Sequence, residues 1–71
     1  MQTFKIIFAH NVIMSIVPTH FEYNFQGDVY CYKHNGFIVY AIIKATSEKE
    51  AQAKAENIIV EYFNSTNTLY A

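Results

Sequence analysis

The sequence predicts an α+β domain, in which an antiparallel β-meander of four to five strands carries one C-terminal α-helix packed on one face. Three observations support this prediction. The N-terminal part is rich in β-branched and aromatic residues, which favour strands. Asn35-Gly36 is a strong signal for a two-residue hairpin turn. Ser47 followed by Glu50 matches a capping box, and apolar residues recur after it at helical spacing.

The first 17 residues contain two apolar runs, 3–9 and 12–17. They predict either a hairpin around His10 and Asn11 or one long bent strand. Pro18 is expected to end this region, because proline cannot donate a ladder hydrogen bond. Residues 19–25 then alternate cleanly and predict a further strand, followed by a turn at Gln26-Gly27. The Asn-Gly turn joins a strand over 28–34 to a strand over 37–45.

The two predicted turns fix which side chains share a face, because cross-strand partners point to the same side of a sheet. One predicted face, which the helix is expected to cover, is aromatic and apolar: Phe21, Tyr23, Phe25, Tyr30, Tyr32, Phe37, Val39, Ala41 and Ile43. The other predicted face collects His20, Glu22, Asn24, Val29, Cys31, Lys33, Ile38, Tyr40, Ile42 and Lys44.

The helix is the clearest predicted element. Its apolar positions are Ala51, Ala55, Ile58, Ile59 and Tyr62, and the polar residues 64 and 65 are expected to end it. Residues 1–64 are therefore predicted to form a single small domain. Residues 65–71 are predicted to form a polar tail that is either frayed or a short added strand.

Composition limits the classes of function. The 71 residues are 52% hydrophobic and only 15% charged, against about 25% charged in average soluble domains, so one small core cannot hide all the apolar surface. The net charge of -1 and the absence of arginine argue against nucleic acid as a partner. A single cysteine favours a reducing, cytoplasmic setting. The run 5–17 is too short and too polar for a membrane span and fits a signal peptide poorly.

Catalytic and metal sites have weak support. Cys31 with His20 or His34 would be the nucleophile–base pair, and His20, Glu22 and Cys31 would be the metal ligands. Neither set has the spacing of a recognised site. The sequence therefore predicts no enzyme activity, no cofactor and no metal, and it assigns the chain to no family.

The second sheet face gives the functional expectation. Its apolar side chains lack a predicted cover, so they are the candidates for an interaction surface: Val29, Cys31, Ile38, Tyr40 and Ile42. The sequence thus predicts a small non-enzymatic protein-interaction module that binds a second copy or another protein. The alternatives are internal cover by the N-terminal strands, a nucleic-acid-associated domain using Lys33, Lys44 and Lys49 with exposed tyrosines, and a small-ligand binder with its site between helix and sheet.

Overall fold

The computed structural model describes residues 1–20 and 24–68, with side-chain environments through residue 62. In chain order the elements are β1 (Gln2–Ala9), β2 (Val12–Thr19), β3 (Val29–His34), β4 (Phe37–Ala45) and α1 (Glu48–Thr68). The four strands form one antiparallel sheet, and α1 packs against it. The predicted α+β class is therefore confirmed, with four strands.

The strand order is β2-β1-β4-β3, which differs from the predicted meander. The chain forms two hairpins, and they join through β1 and β4, whose pairs run from Gln2–Ala45 to Ile7–Tyr40. β1 and β4 are the two strands with most buried residues, so pairing them puts the most apolar strands at the centre of the sheet. The N-terminal hairpin thus widens the sheet and does not close a sandwich over it.

The segment between β2 and β3 corrects two expectations. Pro18 does not end the region, because β2 continues to Thr19, and an edge strand tolerates proline. The predicted strand over 19–25 is wrong for His20, Asn24 and Phe25, which lie outside strands, while residues 21–23 fall outside the described part. No described strand pairs with the outer side of β3, so β3 is an edge strand.

Two tight turns lie at the same end of the sheet. The hairpin alternative for the N-terminus is confirmed, and its turn residues His10 and Asn11 have φ values of 53° and 62°. The second turn has φ values of 53° at Asn35 and 80° at Gly36, as a type I′ turn requires. The Asn11 Oδ1 atom accepts a hydrogen bond of 3.0 Å from the Ile38 main-chain N–H, which ties the first turn to β4.

A β-bulge in β4 changes the predicted register. The Asn-Gly turn pairs His34 with Phe37 as predicted, but the next pairs are Lys33–Ile38 and Tyr32–Tyr40, so Val39 is left without a partner on β3. The predicted pair Tyr32–Val39 is therefore wrong. An extra residue in one strand reverses the face of every residue that follows it.

The core lies between the sheet and the helix. It consists of side chains from β1, β4 and α1 that are at most 5% exposed: Phe4, Ile6, Phe8, Ile38, Ala41, Ile43, Ala45, Ala51 and Ala55. Partly buried side chains close its margins, among them Ile13, Ile16, Cys31, Ile58, Ile59 and Tyr62. The small side chains of Ala51 and Ala55 allow the start of α1 to lie close to the sheet.

The start of α1 follows the predicted capping pattern with one change. The Glu50 N–H donates to the Ser47 hydroxyl at 3.2 Å, as an N-cap requires. The Glu50 carboxylate, however, reaches Thr46, accepting from its main-chain N–H and from its hydroxyl, both at 3.0 Å. At the other end α1 continues to Thr68, beyond the end predicted at residues 64 and 65.

Lys54 fastens the helix to one end of the sheet. Its ammonium donates to the Lys44 carbonyl at 2.8 Å and lies 3.6 Å from Glu50 Oε1 and 4.0 Å from Asp28 Oδ2. Tyr62 acts at the opposite end, where its hydroxyl donates to the Gly36 carbonyl. These two contacts, together with the core, set the helix across one face of the sheet.

The Glu50 contacts predict a pH dependence of stability. The Thr46 N–H, then the Thr46 hydroxyl and less strongly Lys54, hold the pKa of the Glu50 carboxyl below its usual range. A lowered folded-state pKa gives a contribution that is present above the unfolded pKa and is lost as pH falls through the folded one. We expect Glu50→Gln to lower the urea midpoint near neutral pH. The difference from wild type should shrink as the pH falls below about 4.3, the ordinary pKa of glutamate, and vanish once the pH is below the lowered folded-state pKa.

Glu56→Gln is the control for this prediction, because it removes the same charge from α1 at a residue whose carboxylate is bound only by Gln52 in the described contacts. A loss of stability at Glu50→Gln that is equal at neutral and acid pH would contradict the assigned role of Thr46.

Candidate interaction surface

One face of the sheet carries the helix, and the opposite face, here called the open face, has no described element packed over it. The strand registers assign these side chains to the open face: Thr3, Lys5, Ile7, Ala9, Val12, Ser15, Val17, Thr19, Tyr30, Tyr32, His34, Phe37, Tyr40, Ile42 and Lys44. Several large apolar members are a third to a half exposed, namely Ile7, Val17, Tyr30, Tyr32 and Phe37.

The open face has a row of aromatic rings at its β3 edge. The rings of Tyr32 and Tyr40 stack with centroids 5.2 Å apart, Tyr30 lies 6.4 Å from Tyr40, and Phe25 lies 5.9 Å from Tyr30. Ile42, whose cross-strand partners are Tyr30 and Lys5, is fully buried although it lies on this face. The rings and the lysine stem therefore form a thin second apolar layer.

Two lysines lie among these rings. The Lys5 ammonium is 5.1 Å from the centroid of the Tyr40 ring, and the Lys44 ammonium is 4.9 Å from the centroid of the Phe25 ring. Both are cation–π distances. Lys5 lies on the central strand β1, so a positive charge sits well inside the open face and not at its rim.

Charge is separated between the two sides of the molecule. The described carboxylates lie on α1 or beside its Lys54: Asp28, Glu48, Glu50, Glu56 and Glu61. The strand positions of the open face include Lys5, Lys44 and His34 and, within the described residues, no carboxylate. The net charge of -1 thus conceals a cationic, aromatic face opposite an acidic helix.

The five candidates predicted from the sequence do not share a face. Tyr40 and Ile42 lie on the open face, whereas Ile38 is 1% exposed in the core. Cys31 packs against the core margin, and Val29 lies on the same side of β3 as Cys31. The bulge at Val39 causes this division, because it brings Tyr40 and Ile42 onto the side of Tyr30 and Tyr32. Ile38 keeps its predicted side, that of Cys31, and this is the side that the helix covers.

Exposed apolar residues of the open face that were missed as candidates include Ile7, Val17, Tyr30, Tyr32 and Phe37. A signal was present in β1, where Phe4, Ile6 and Phe8 alternate with Thr3 and Lys5. The face formed by the apolar alternate positions is the one that another element must cover, so the helix is expected on the Phe4 side of the sheet. Pairing with β4 then assigns Tyr40 and Ile42 to the uncovered side.

The alternatives raised by the sequence can be located as well. Of the three lysines considered for nucleic acid, only Lys44 is on the open face, since Lys33 lies over the Tyr62 ring and Lys49 lies on α1. Between helix and sheet the space is filled by fully buried residues such as Ile43 and Ala55. Two open grooves lie instead along the sheet edges, one between β2 and α1 and one beside Asp28 and Val29.

Cys31 is poorly placed for nucleophilic chemistry. Burial raises the pKa of its thiol, against a smaller opposing effect of Lys33, so the thiol stays protonated near neutral pH. Alternation along β3 puts Cys31 and His34 on opposite faces. Among the described residues, no three His, Cys, Asp or Glu side chains cluster as metal ligands would, and Glu22 lies outside that part.

Comparisons with protein-family models, with curated proteins and with solved structures found no match to this chain. In the described part of the chain, no helix combines the length and the apolar character needed to cross a lipid bilayer.

Proposed function

We propose that this chain is a small non-enzymatic interaction module that forms a homodimer, and that two copies pair through the outer edges of their β3 strands. The observation that carries the proposal is that the described part of the chain places no proline, bulge or covering element on this edge. Edge strands usually avoid pairing through proline, bulges, charged side chains or a covering element. The lysine of β3, Lys33, has its ammonium over the Tyr62 ring. The other edge strand, β2, has both Pro18 and a bulge at Met14, whereas β3 itself contains neither.

The hydrogen-bonding groups of β3 support this mode of pairing. The Lys44 N–H donates to the Asp28 carbonyl at 2.8 Å, so the main-chain groups of Asp28, Tyr30 and Tyr32 face β4. Alternation then directs the N–H and C=O groups of Val29, Cys31 and Lys33 outward. An antiparallel pairing of two β3 strands centred on Cys31 would use all of these groups.

The same register gives compatible side-chain neighbours. Tyr30 of one copy would lie opposite Tyr32 of the other, Val29 opposite Lys33, and Asp28 opposite His34. Aromatic pairs across strands are favourable, and a carboxylate opposite an imidazole can accept a hydrogen bond from it. The two open faces would then join into one continuous surface.

Face-to-face packing of two open faces fits less well. It would bring the central Lys5 and Lys44 of both copies together, with no described carboxylate on the face to pair them. Burying unpaired charge costs several kcal/mol. Binding to another protein remains the second form of the same proposal, since an extended segment can add to a free strand edge. The single free thiol, Cys31, supports a reducing and therefore cytoplasmic setting.

Sedimentation equilibrium of Val29→Lys tests the dimer. The substitution puts a lysine opposite Lys33 of the second copy, twice by symmetry, on a side chain that is 39% exposed. We expect wild type to be dimeric at micromolar concentration and Val29→Lys to be a folded monomer. Val60→Lys adds the same charge on an exposed helix position, 54% exposed, and should leave association unchanged.

Amide hydrogen exchange provides an independent test of the pairing between the two β3 strands. In the dimer the N–H groups of Val29, Cys31 and Lys33 should be protected, and dilution should remove that protection. A wild type that stays monomeric up to about 100 μM would exclude the homodimer and favour a different protein as partner. A dimer that Val29→Lys does not weaken would exclude the β3 edge.

A further inference from the structure

The geometry of the open face points to a binding site for single-stranded nucleic acid, with bases stacked on Tyr30 and Tyr32 and phosphates held by Lys5 and Lys44. This role goes beyond dimer formation and does not depend on it, because one copy carries the whole site. The two proposals also use different groups of β3, since the dimer uses its main-chain edge and the nucleic acid uses its rings.

The tyrosine rings meet the requirements of base stacking. Tyr30 and Tyr32 are 41% and 40% exposed, so ring surface is accessible to a ligand. Both rings are supported by Tyr40, whose ring centroid is 6.4 Å from that of Tyr30 and 5.2 Å from that of Tyr32. Rings held in place on a flat sheet lose little side-chain freedom when a base stacks on them.

The lysines lie where a backbone passing over these rings would run. Lys5 is on β1, next to Tyr40, and Lys44 lies at the Phe25 end of the aromatic row. In the described contacts, each ammonium lies over an aromatic ring, whose face carries only a weak negative potential. A phosphate offers a full negative charge in its place, so binding requires only a short movement of each lysine side chain.

Charge complementarity selects an anionic ligand. Within the described residues the open face carries Lys5, Lys44 and His34 and no carboxylate, and the acidic groups of α1 are on the opposite side of the sheet. Two lysines are too few to hold a duplex through its phosphates. Unpaired bases gain stacking on the tyrosines as well, which favours a single strand. An acidic peptide would use the lysines but would leave the exposed rings without a specific role.

Fluorescence anisotropy with a labelled oligothymidine of about 12 nucleotides tests the site. We expect binding that weakens with added salt and that exceeds binding to a duplex of the same length. Tyr32→Ala should weaken binding about tenfold, whereas Tyr32→Phe, which keeps the ring, should bind as wild type does. Lys5→Gln with Lys44→Gln should reduce the slope of log affinity against log salt by about 0.7 per lysine. Lys49→Gln on α1 is the matched charge control and should leave the slope unchanged.

Circular dichroism of each variant establishes that it is folded before binding is compared. Absence of oligothymidine binding at about 100 μM protein overturns the proposal, and so does equal binding of single strand and duplex. Tyr32→Ala binding as tightly as wild type would remove stacking from the mechanism and overturn it too. A labelled polyglutamate peptide that binds more tightly than the oligonucleotide would assign the face to an acidic protein partner instead.

Discussion

Ile38→Ala is expected to lower the free energy of unfolding by about 2 to 5 kcal/mol. Ile38 is 1% exposed and lies in the cluster formed by β1, β4 and α1. Shortening it removes buried methylene groups and leaves a cavity, because the surrounding strands and helix relax only partly. Urea denaturation, followed by far-ultraviolet circular dichroism, measures the change.

Ile7→Ala is the matched control for this prediction, because it makes the same chemical change on the open face, where Ile7 is 36% exposed. Its cost should be smaller, about 1 to 2 kcal/mol, because the side chain is partly exposed and its loss leaves no enclosed cavity. If Ile38 were an interaction residue on an uncovered face, as the sequence suggested, Ile38→Ala would weaken association and hardly change unfolding of the monomer. Equal costs for the two substitutions would contradict the assignment of the faces.

The local parts of the fold could be predicted from the sequence because they rest on short-range chemistry. Asn35-Gly36 supplies two residues that accept positive φ, and Ser47 supplies the acceptor for the first turn of α1. The order of the strands could not be predicted in the same way. It depends on the pairing of β1 with β4, whose paired residues are more than thirty positions apart in the chain and carry no local signal for each other.

The five residues predicted to form the interaction surface do not share a face, for a related reason. A two-residue turn fixes the register only until the first bulge, and nothing in the residues around Val39 marks one. The bulge reversed the faces of the central part of β4, so Tyr40 was predicted on the wrong side relative to Tyr30 and Tyr32. In the structure the bulge comes directly after Ile38, whose N–H donates to Asn11 Oδ1.

The net charge was equally uninformative about partners. A value of -1 argues against nucleic acid only if positive and negative groups are mixed over the surface. In the folded chain, Lys5 and Lys44 lie on the open face and the described carboxylates lie on the side of α1. The net charge of one face of the sheet thus depends on the strand registers, which cannot be inferred from composition.

Asn11→Ala is expected to cost about 2 to 5 kcal/mol, through two effects at one residue. Asn11 has a φ of 62°, a conformation that costs about 1 to 2 kcal/mol for most residues and less for asparagine. Its Oδ1 atom is also the acceptor for the half-buried N–H of Ile38, at 3.0 Å. Leaving such a donor unsatisfied costs about 1 to 3 kcal/mol. The urea midpoint again measures the loss.

Two further substitutions separate these effects. Asn11→Gly keeps the positive φ but removes the acceptor, so it should retain only the cost of the unsatisfied N–H, about 1 to 3 kcal/mol. Asn35→Ala tests the other part, because Asn35 has a φ of 53° and its side chain makes none of the described hydrogen bonds; it should cost about 1 to 2 kcal/mol. If Asn11→Gly proved neutral, the bond to Ile38 would not hold the two hairpins together.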